Sequence, residues 1–133
     1  MEWQRNGIRI VDEKDLVDPD AVYNLLKESY WANNRSKETI ARSFEHSICF
    51  SVLKDSRQIG FARVVTDYVL FAWIADVIID PQFRGQGIGK FLMQSITGHP
   101  AIATTMQLLR TRDAHGLYEQ FDFQRNECMV RRK

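Results

Sequence analysis

A chain of 133 residues, 44% hydrophobic and 26% charged, has the size and make-up of one globular domain able to bury a core. Its 18 basic and 17 acidic residues leave a net charge of +1, so no strong field draws it to nucleic acid or acidic lipid. No apolar run approaches membrane-spanning length, and the N-terminus, with Glu2 and Arg5, holds no signal-peptide core. Cys49 and Cys128 sit in short apolar stretches as reduced core thiols, so a cytoplasmic setting is expected.

Residues 1 to 18 are ambiguous, with Ile8-Arg9-Ile10-Val11 open as a first strand. From Asp20, the spacing of Val22, Leu25, Leu26 and Tyr30 predicts a helix, with Pro19 and Asp20 as start signals. Trp31-Ala-Asn-Asn breaks that pattern. A second helix is expected from about Ser36, its N-cap candidate, with Ile40 and Phe44 facing inward. Residues 48 to 53 and 58 to 67 read as two strands around a polar turn at Asp55-Ser56-Arg57, a hairpin signal. Ile59, Phe61, Arg63, Val65 and Asp67 share one face of the second strand; Arg63 is open as either a rim charge or a substrate-side group.

A long strand from Phe71 to Asp80 follows, ended by Pro81, which offers no ladder donor. Then come glycines at alternate positions in Arg84-Gly-Gln-Gly-Ile-Gly-Lys90, and an amphipathic helix carrying Ile88, Phe91, Leu92 and Ile96. Gly98-His99-Pro100 stops it. Met106 to Thr111 predicts a strand, Asp113 an N-cap, and Ala114, Leu117, Tyr118 and Phe121 one face of a last helix; Cys128-Met-Val closes as a final strand. Without repeat, low-complexity tract or linker, residues 1–133 are expected to form a single domain. Hairpins followed by a strand–helix–strand crossover predict an α/β fold of the α+β type, its mixed sheet mostly antiparallel with flanking helices.

The strand–glycine turn–helix unit is the most specific feature. The first amides of a helix lack intrahelical partners and glycine leaves them open, which makes a socket for a phosphate-bearing ligand. The spacing excludes two common nucleotide loops. A P-loop needs glycine five residues before Gly89, where Arg84 stands, and Ser or Thr after Lys90, where Phe91 stands. A dinucleotide fingerprint starting at Gly85 needs a glycine at Lys90.

What fits is Arg84-x-x-Gly87-x-Gly89, which resembles the acyl-CoA-binding motif of the GNAT superfamily of N-acetyltransferases. Thr111-Arg-Asp-Ala-His-Gly-Leu-Tyr118-Glu-Gln-Phe-Asp-Phe123 is similar in outline to the family's second signature, keeping the spacing from Ala114 to Tyr118 to Phe123. Phe61-Ala-Arg-Val-Val-Thr-Asp-Tyr and Thr111-Arg-Asp-Ala-His-Gly-Leu-Tyr are similar to stretches of a small, largely uncharacterised bacterial branch. Two departures stand out. Asp113 or its neighbourhood replaces the usual Asn near the pantetheine arm. Asp122 replaces the usual Gly before Phe123, at a left-handed helix stop that Asp tolerates.

The resemblance implies acetyl transfer from acetyl-CoA to a primary amine, by direct attack in a ternary complex and without a metal. It implies coenzyme contacts from Val77, Ile78 and Ile79 at the strand end, from Arg84, Gly85, Gln86, Gly87, Ile88, Gly89 and Lys90 in the turn, and from Asp113, Leu117 and Tyr118. An N–H near Ile78 or Ile79 would polarise the thioester carbonyl. On the same resemblance Tyr118 is the acid for the departing sulfur, protonated at neutral pH. Asp76 is open as the base or as the structural partner of an arginine, with Asp67 and Glu28 as weaker candidates. Tyr30, Trp31 and Phe71, with Tyr68 and Trp73, supply an aromatic surface that suits an apolar or cationic amine and is equally open as core or homodimer face, and Arg63 is a substrate-side candidate. The acceptor is a small-molecule amine or a protein amine. The alternative is a CoA-binding sensor or interaction module without the chemistry.

Overall fold

The computed structural model describes residues 1–132. Six strands form one sheet in chain order: β1 (Glu2–Arg5), β2 (Ile8–Val11), β3 (Ile48–Lys54), β4 (Arg57–Thr66), β5 (Phe71–Ile79) and β6 (Met106–Leu108). All neighbours are antiparallel except β5 and β6, so the expected mixed, mostly antiparallel sheet is the one observed. Four helices flank it: α1 (Pro19–Leu26), α2 (Lys37–Ser43), α3 (Ile88–Thr97) and α4 (His115–Glu119).

Local chemistry accounts for most boundaries. Asn6 and Gly7 both have positive φ, 50° and 79°, and join β1 to β2; Asp55 and Ser56, at 50° and 68°, join β3 to β4. Two left-handed central residues match the twist of a tight hairpin. Asp18 caps α1 by accepting from the Asp20 and Ala21 amides at 3.0 and 3.2 Å, and Ser36 caps α2 by accepting from Thr39 N–H at 3.1 Å. Asp67 accepts from the amides of Val69, Leu70 and Phe71, which fixes the turn into β5 and holds its carboxyl below the usual range.

Several expectations need correcting. Helix α1 ends at Leu26, so Tyr30 lies beyond it in the connection to α2. Strand β6 spans only Met106–Leu108, and residues 128–130 form no strand. Cys49 is buried, its thiol pushed up to about 11 by burial, but Cys128 is exposed. Asp113 does not cap α4; the Thr111 hydroxyl accepts from Ala114 N–H instead, at 2.9 Å.

Each sheet face carries its own core. Val22, Leu25, Leu26 and Ile40 of α1 and α2 pack on Cys49, Phe61 and Ile78. On the other face Phe91, Leu92 and Ile96 of α3, with Tyr118 of α4, pack on Phe50, Val64, Ala72, Ile74 and Ile79. Gly60 lies where β3, β4 and β5 press together. A methyl added there would stand 2.8 Å from Ile79 Cδ1, 3.0 Å from the Ile78 carbonyl oxygen and 3.0 Å from Val52 Cγ2. The Ile79 methyl can swing away, but the backbone oxygen cannot. Gly60→Ala is therefore expected to destabilise the fold by about 1–3 kcal/mol. An unchanged melting temperature would show that the strands part there without cost.

Candidate active site

The site grows from an irregularity in β5. Arg63 pairs with Ala75 and Phe61 with Ile78, so Asp76 and Val77 together oppose Ala62, and Asp76 takes φ 56°. This is a β-bulge. In a regular strand Asp76 would share the α3 face with Ala72 and Ile74, since side chains alternate. The bulge breaks that alternation, and the carboxylate meets groups on the α1–α2 face. It accepts from Arg63 Nε at 2.6 Å, from Arg35 Nη1 at 2.9 and 3.0 Å, and from Trp31 Nε1 at 3.0 Å. The Asp76 side chain is 2% exposed, and Arg35 and Trp31 both come from the α1–α2 connection. One buried carboxylate thus pins that connection to the kinked strand. These donors fill its oxygens, so the geometry makes Asp76 the structural partner of two arginines and leaves it poorly placed to accept an amine proton.

Past the bulge, β5 runs into the glycine turn. Gly85 and Gly87 have φ 79° and 78°, and a methyl at either would meet nothing within 4 Å, so glycine serves the backbone path here and leaves the surface open. Gly87 is the N-cap of α3. The first bond into the helix is Phe91 N–H to the Gly87 carbonyl, 3.0 Å. Among the described residues the N–H groups of Gly85, Gln86, Gly87, Ile88, Gly89 and Lys90 have no acceptor. Arg84 folds its Nε back onto the Ile79 carbonyl at 3.2 Å, which ties the turn to the strand end.

Two further pieces meet the turn. A methyl at Gly89 would lie 4.0 Å from both Ile79 Cγ1 and Leu117 Cδ2, so strand end, α3 and α4 converge. Beyond Trp73 and Leu108, β5 and β6 no longer pair, which leaves one edge of β5 from Ile74 onward without a strand neighbour. Tyr118 of α4 is 9% exposed, and its ring sits edge-on to Phe123 with centroids 6.1 Å apart. Its hydroxyl makes no hydrogen bond among the described residues and is not sealed from solvent, since no buried side-chain oxygen there is left without a partner. Burial, reinforced by Tyr30 and Asp113, pushes the phenol up to about 12, so the proton stays on through neutral pH.

The Acetyltransferase (GNAT) domain family matches residues 45–125. The chain belongs to the GNAT family of acetyltransferases. A candidate GNAT acetyltransferase from Xanthomonas campestris pv. campestris has a solved structure that superposes with a TM-score of 0.91 at 32% identity, over 98% of this chain and 96% of that one. A candidate acetyltransferase of Gibberella zeae is 25% identical over 137 residues, 85% of this chain and 77% of its own length. Several other curated relatives are matched over 57% or less of their length. A GNAT acetyltransferase from Elizabethkingia anophelis, solved with acetyl-CoA bound, shares the fold at TM-score 0.68 and 17% identity, over 88% of this chain and 76% of that one.

Within this GNAT domain the predicted residues fall into two groups. Ile79, the turn from Arg84 to Lys90 and Leu117 meet at the unpaired amides, and Tyr118 follows Leu117 on α4 with its ring in the α3–α4 core. Val77 packs toward the α3–α4 core and Ile78 toward the α1–α2 core. Tyr30, Trp31, Arg63 and Asp76 form the second group, with Tyr30 and Trp31 edge-to-face at 5.0 Å. Phe71 joins neither: it lies at the opposite end of β5, five residues or roughly 16 Å from Asp76 at strand rise. Asp113 is exposed and nearest to Arg112, 3.9 Å away. Asp67 is occupied by its own turn, and Glu28 lines a cavity of about 480 Å³ beside α1 that Asp18, Arg57, Asp80 and Arg84 of the turn also border and Tyr118 does not.

Two arginines drew no attention from the sequence. Arg35 precedes a helix cap and reaches Asp76 across 41 positions. Arg112 lies over the Tyr30 ring at 3.8 Å while its N–H donates to the Tyr30 hydroxyl at 3.0 Å. Only long-range geometry reveals either.

Asp122, in the turn three residues past the end of α4, holds φ 67°, and Phe123 N–H returns to the Tyr118 carbonyl at 3.3 Å. This left-handed stop sets Phe123 against the Tyr118 ring. Asp122→Gly is expected to be neutral or stabilising, by about 1 kcal/mol at most. A clear fall in melting temperature would contradict the helix-stop role.

Proposed function

We propose that this acetyltransferase moves an acetyl group from acetyl-CoA to a primary amine by direct attack in a ternary complex. The observation that supports this most is the row of unpaired amides from Gly85 to Lys90. Oriented, partly positive N–H groups at a helix start suit a diphosphate. The neighbour that carries acetyl-CoA in its crystal is consistent with the same donor.

In this reading the amides of Gly85 to Lys90 hold the pyrophosphate, and Ile79 and Leu117 flank the arm beside the free edge of β5. Acetyl-CoA supplies an activated acyl group as a thioester. The acceptor nitrogen forms the new C–N bond as the C–S bond breaks, and Tyr118 gives its proton to the departing sulfur. A phenol held protonated by burial, with no competing partner for its hydroxyl, suits that donation. A backbone N–H near Ile78 or Ile79 polarises the carbonyl. Asp76 we assign to positioning rather than to proton removal, because Arg35, Arg63 and Trp31 hold its oxygens. The amine therefore arrives in its neutral form from solution, and its proton leaves to solvent.

Free-thiol release from acetyl-CoA, measured across a panel of amines, tests the reading directly. Release that depends on an amine is the expected result. A ligand at 100 times its dissociation constant adds about 2.7 kcal/mol of stability. Such a stabilisation by acetyl-CoA without thiol release for any amine would point to the sensor alternative. Tyr118→Phe is expected to lower kcat by about 10²-fold with little change in coenzyme affinity. Unchanged turnover in that variant would remove Tyr118 from the mechanism.

A further inference from the structure

The cluster around Asp76 is out of electrical balance. Two guanidinium groups face a single carboxylate, and no other carboxylate bridges to Arg35 or Arg63 among the described residues. Pairing Asp76 needs only one of them. Arg35 reaches it with Nη1 alone, so Nε and Nη2 make no bond there. Arg63 uses Nε on Asp76 and Nη1 on the Ser47 hydroxyl at 3.4 Å, leaving its own Nη2. The side chains are 28% and 17% exposed, so the surplus cation lies half-sheltered at the surface rather than in bulk water. Charge held in such a place is stabilised when an oxyanion completes it, and the planar fork of arginine suits carboxylate or phosphate.

The surroundings connect this spot to the acyl-transfer centre. Trp31 donates to Asp76 and packs edge-on against Tyr30. Tyr30 lies near enough to Tyr118 to help raise its phenol, and it carries the Arg112 guanidinium on its ring. A run of Tyr30, Trp31 and Arg35, with Arg112 over the Tyr30 ring, therefore leads to the surplus charge from the side on which Tyr30 acts on Tyr118.

We propose that the acceptor is an amine that also bears a compact oxyanion, a carboxylate or a phosphate, which seats on the free N–H groups of Arg35 and Arg63. The inference rests on the acetyl-transfer reading of the same site. It makes Arg35 a specificity residue: the anion anchors one end of the acceptor while its amine reaches the thioester. A purely cationic amine, such as a polyamine, is repelled from this end of the run.

The test is thiol release from acetyl-CoA with matched amines. Amino acids are compared with their decarboxylated counterparts, and O-phosphoethanolamine with ethanolamine. The expected result is a kcat/KM about 10- to 100-fold higher for the anionic member of one series; the series that shows it tells carboxylate from phosphate. Arg35→Gln should bring that ratio close to one, mainly through KM, while Arg35→Lys keeps part of it. Circular dichroism on each variant separates loss of preference from loss of fold, and the wild-type ratios decide the matter even if both variants fail to fold. Turnover of neutral or cationic amines as good as that of their anionic partners would overturn the inference and leave acetyl transfer standing. No thiol release with any amine would overturn both.

Discussion

Among the described residues the six N–H groups from Gly85 to Lys90 have no acceptor, and the end of β5, the turn and the start of α3 together present them. The first N–H groups of a helix have no partner inside it, and at the exposed Gly85, Gln86, Gly87 and Lys90 they are open to water or to a ligand. Here Gly85 and Gly87 lie in the left-handed region with open space where side chains would project. The row is kept in place from behind: Ile79, packed in the α3–α4 core, supplies the carbonyl that Arg84 grips. The amides face outward, where an external anion can take the place of water, which is how a fold sets a binding site in advance.

The second organising device is Asp76. A non-glycine residue at φ 56° inside a strand is an unusual conformation for an L-amino acid. It persists because the bulge turns the carboxylate to the face where Arg63, Arg35 and Trp31 wait. The same contact does two jobs. It fixes the α1–α2 connection over the sheet, and it kinks β5 just before the segment that the resemblance assigns to the coenzyme arm. A buried carboxylate with two guanidinium partners is weak evidence for stability on its own. Its value lies in specifying one arrangement of strand and loop.

What the sequence revealed followed the range of the interactions. The glycine turn, the Ser36 cap and the Asp55-Ser56 hairpin are set by neighbours a few positions apart and were readable. Asn6-Gly7 is an equally local hairpin signal, and it turns the ambiguous N-terminal stretch into β1 and β2. The bulge at Asp76 had no local mark, because Ala-Asp-Val-Ile-Ile contains no glycine and reads as plain strand. Arg35 reaching Asp76 depends on how α1, α2 and β5 pack, which spacing does not encode. The expected strand at Cys128 failed for a related reason: β-favouring residues need a neighbouring ladder, and β6 is only three residues long. The GNAT assignment was legible from two spaced signatures and agrees with the family match over residues 45–125.

The central claim is that the amides of Gly85 to Lys90 receive a coenzyme diphosphate, and amide-resolved NMR tests it most directly. In a titration of nitrogen-15-labelled protein with coenzyme A, the account predicts that these six N–H signals move most and gain protection from hydrogen exchange. Saturable binding that leaves all six unmoved, or no binding at all, would contradict it.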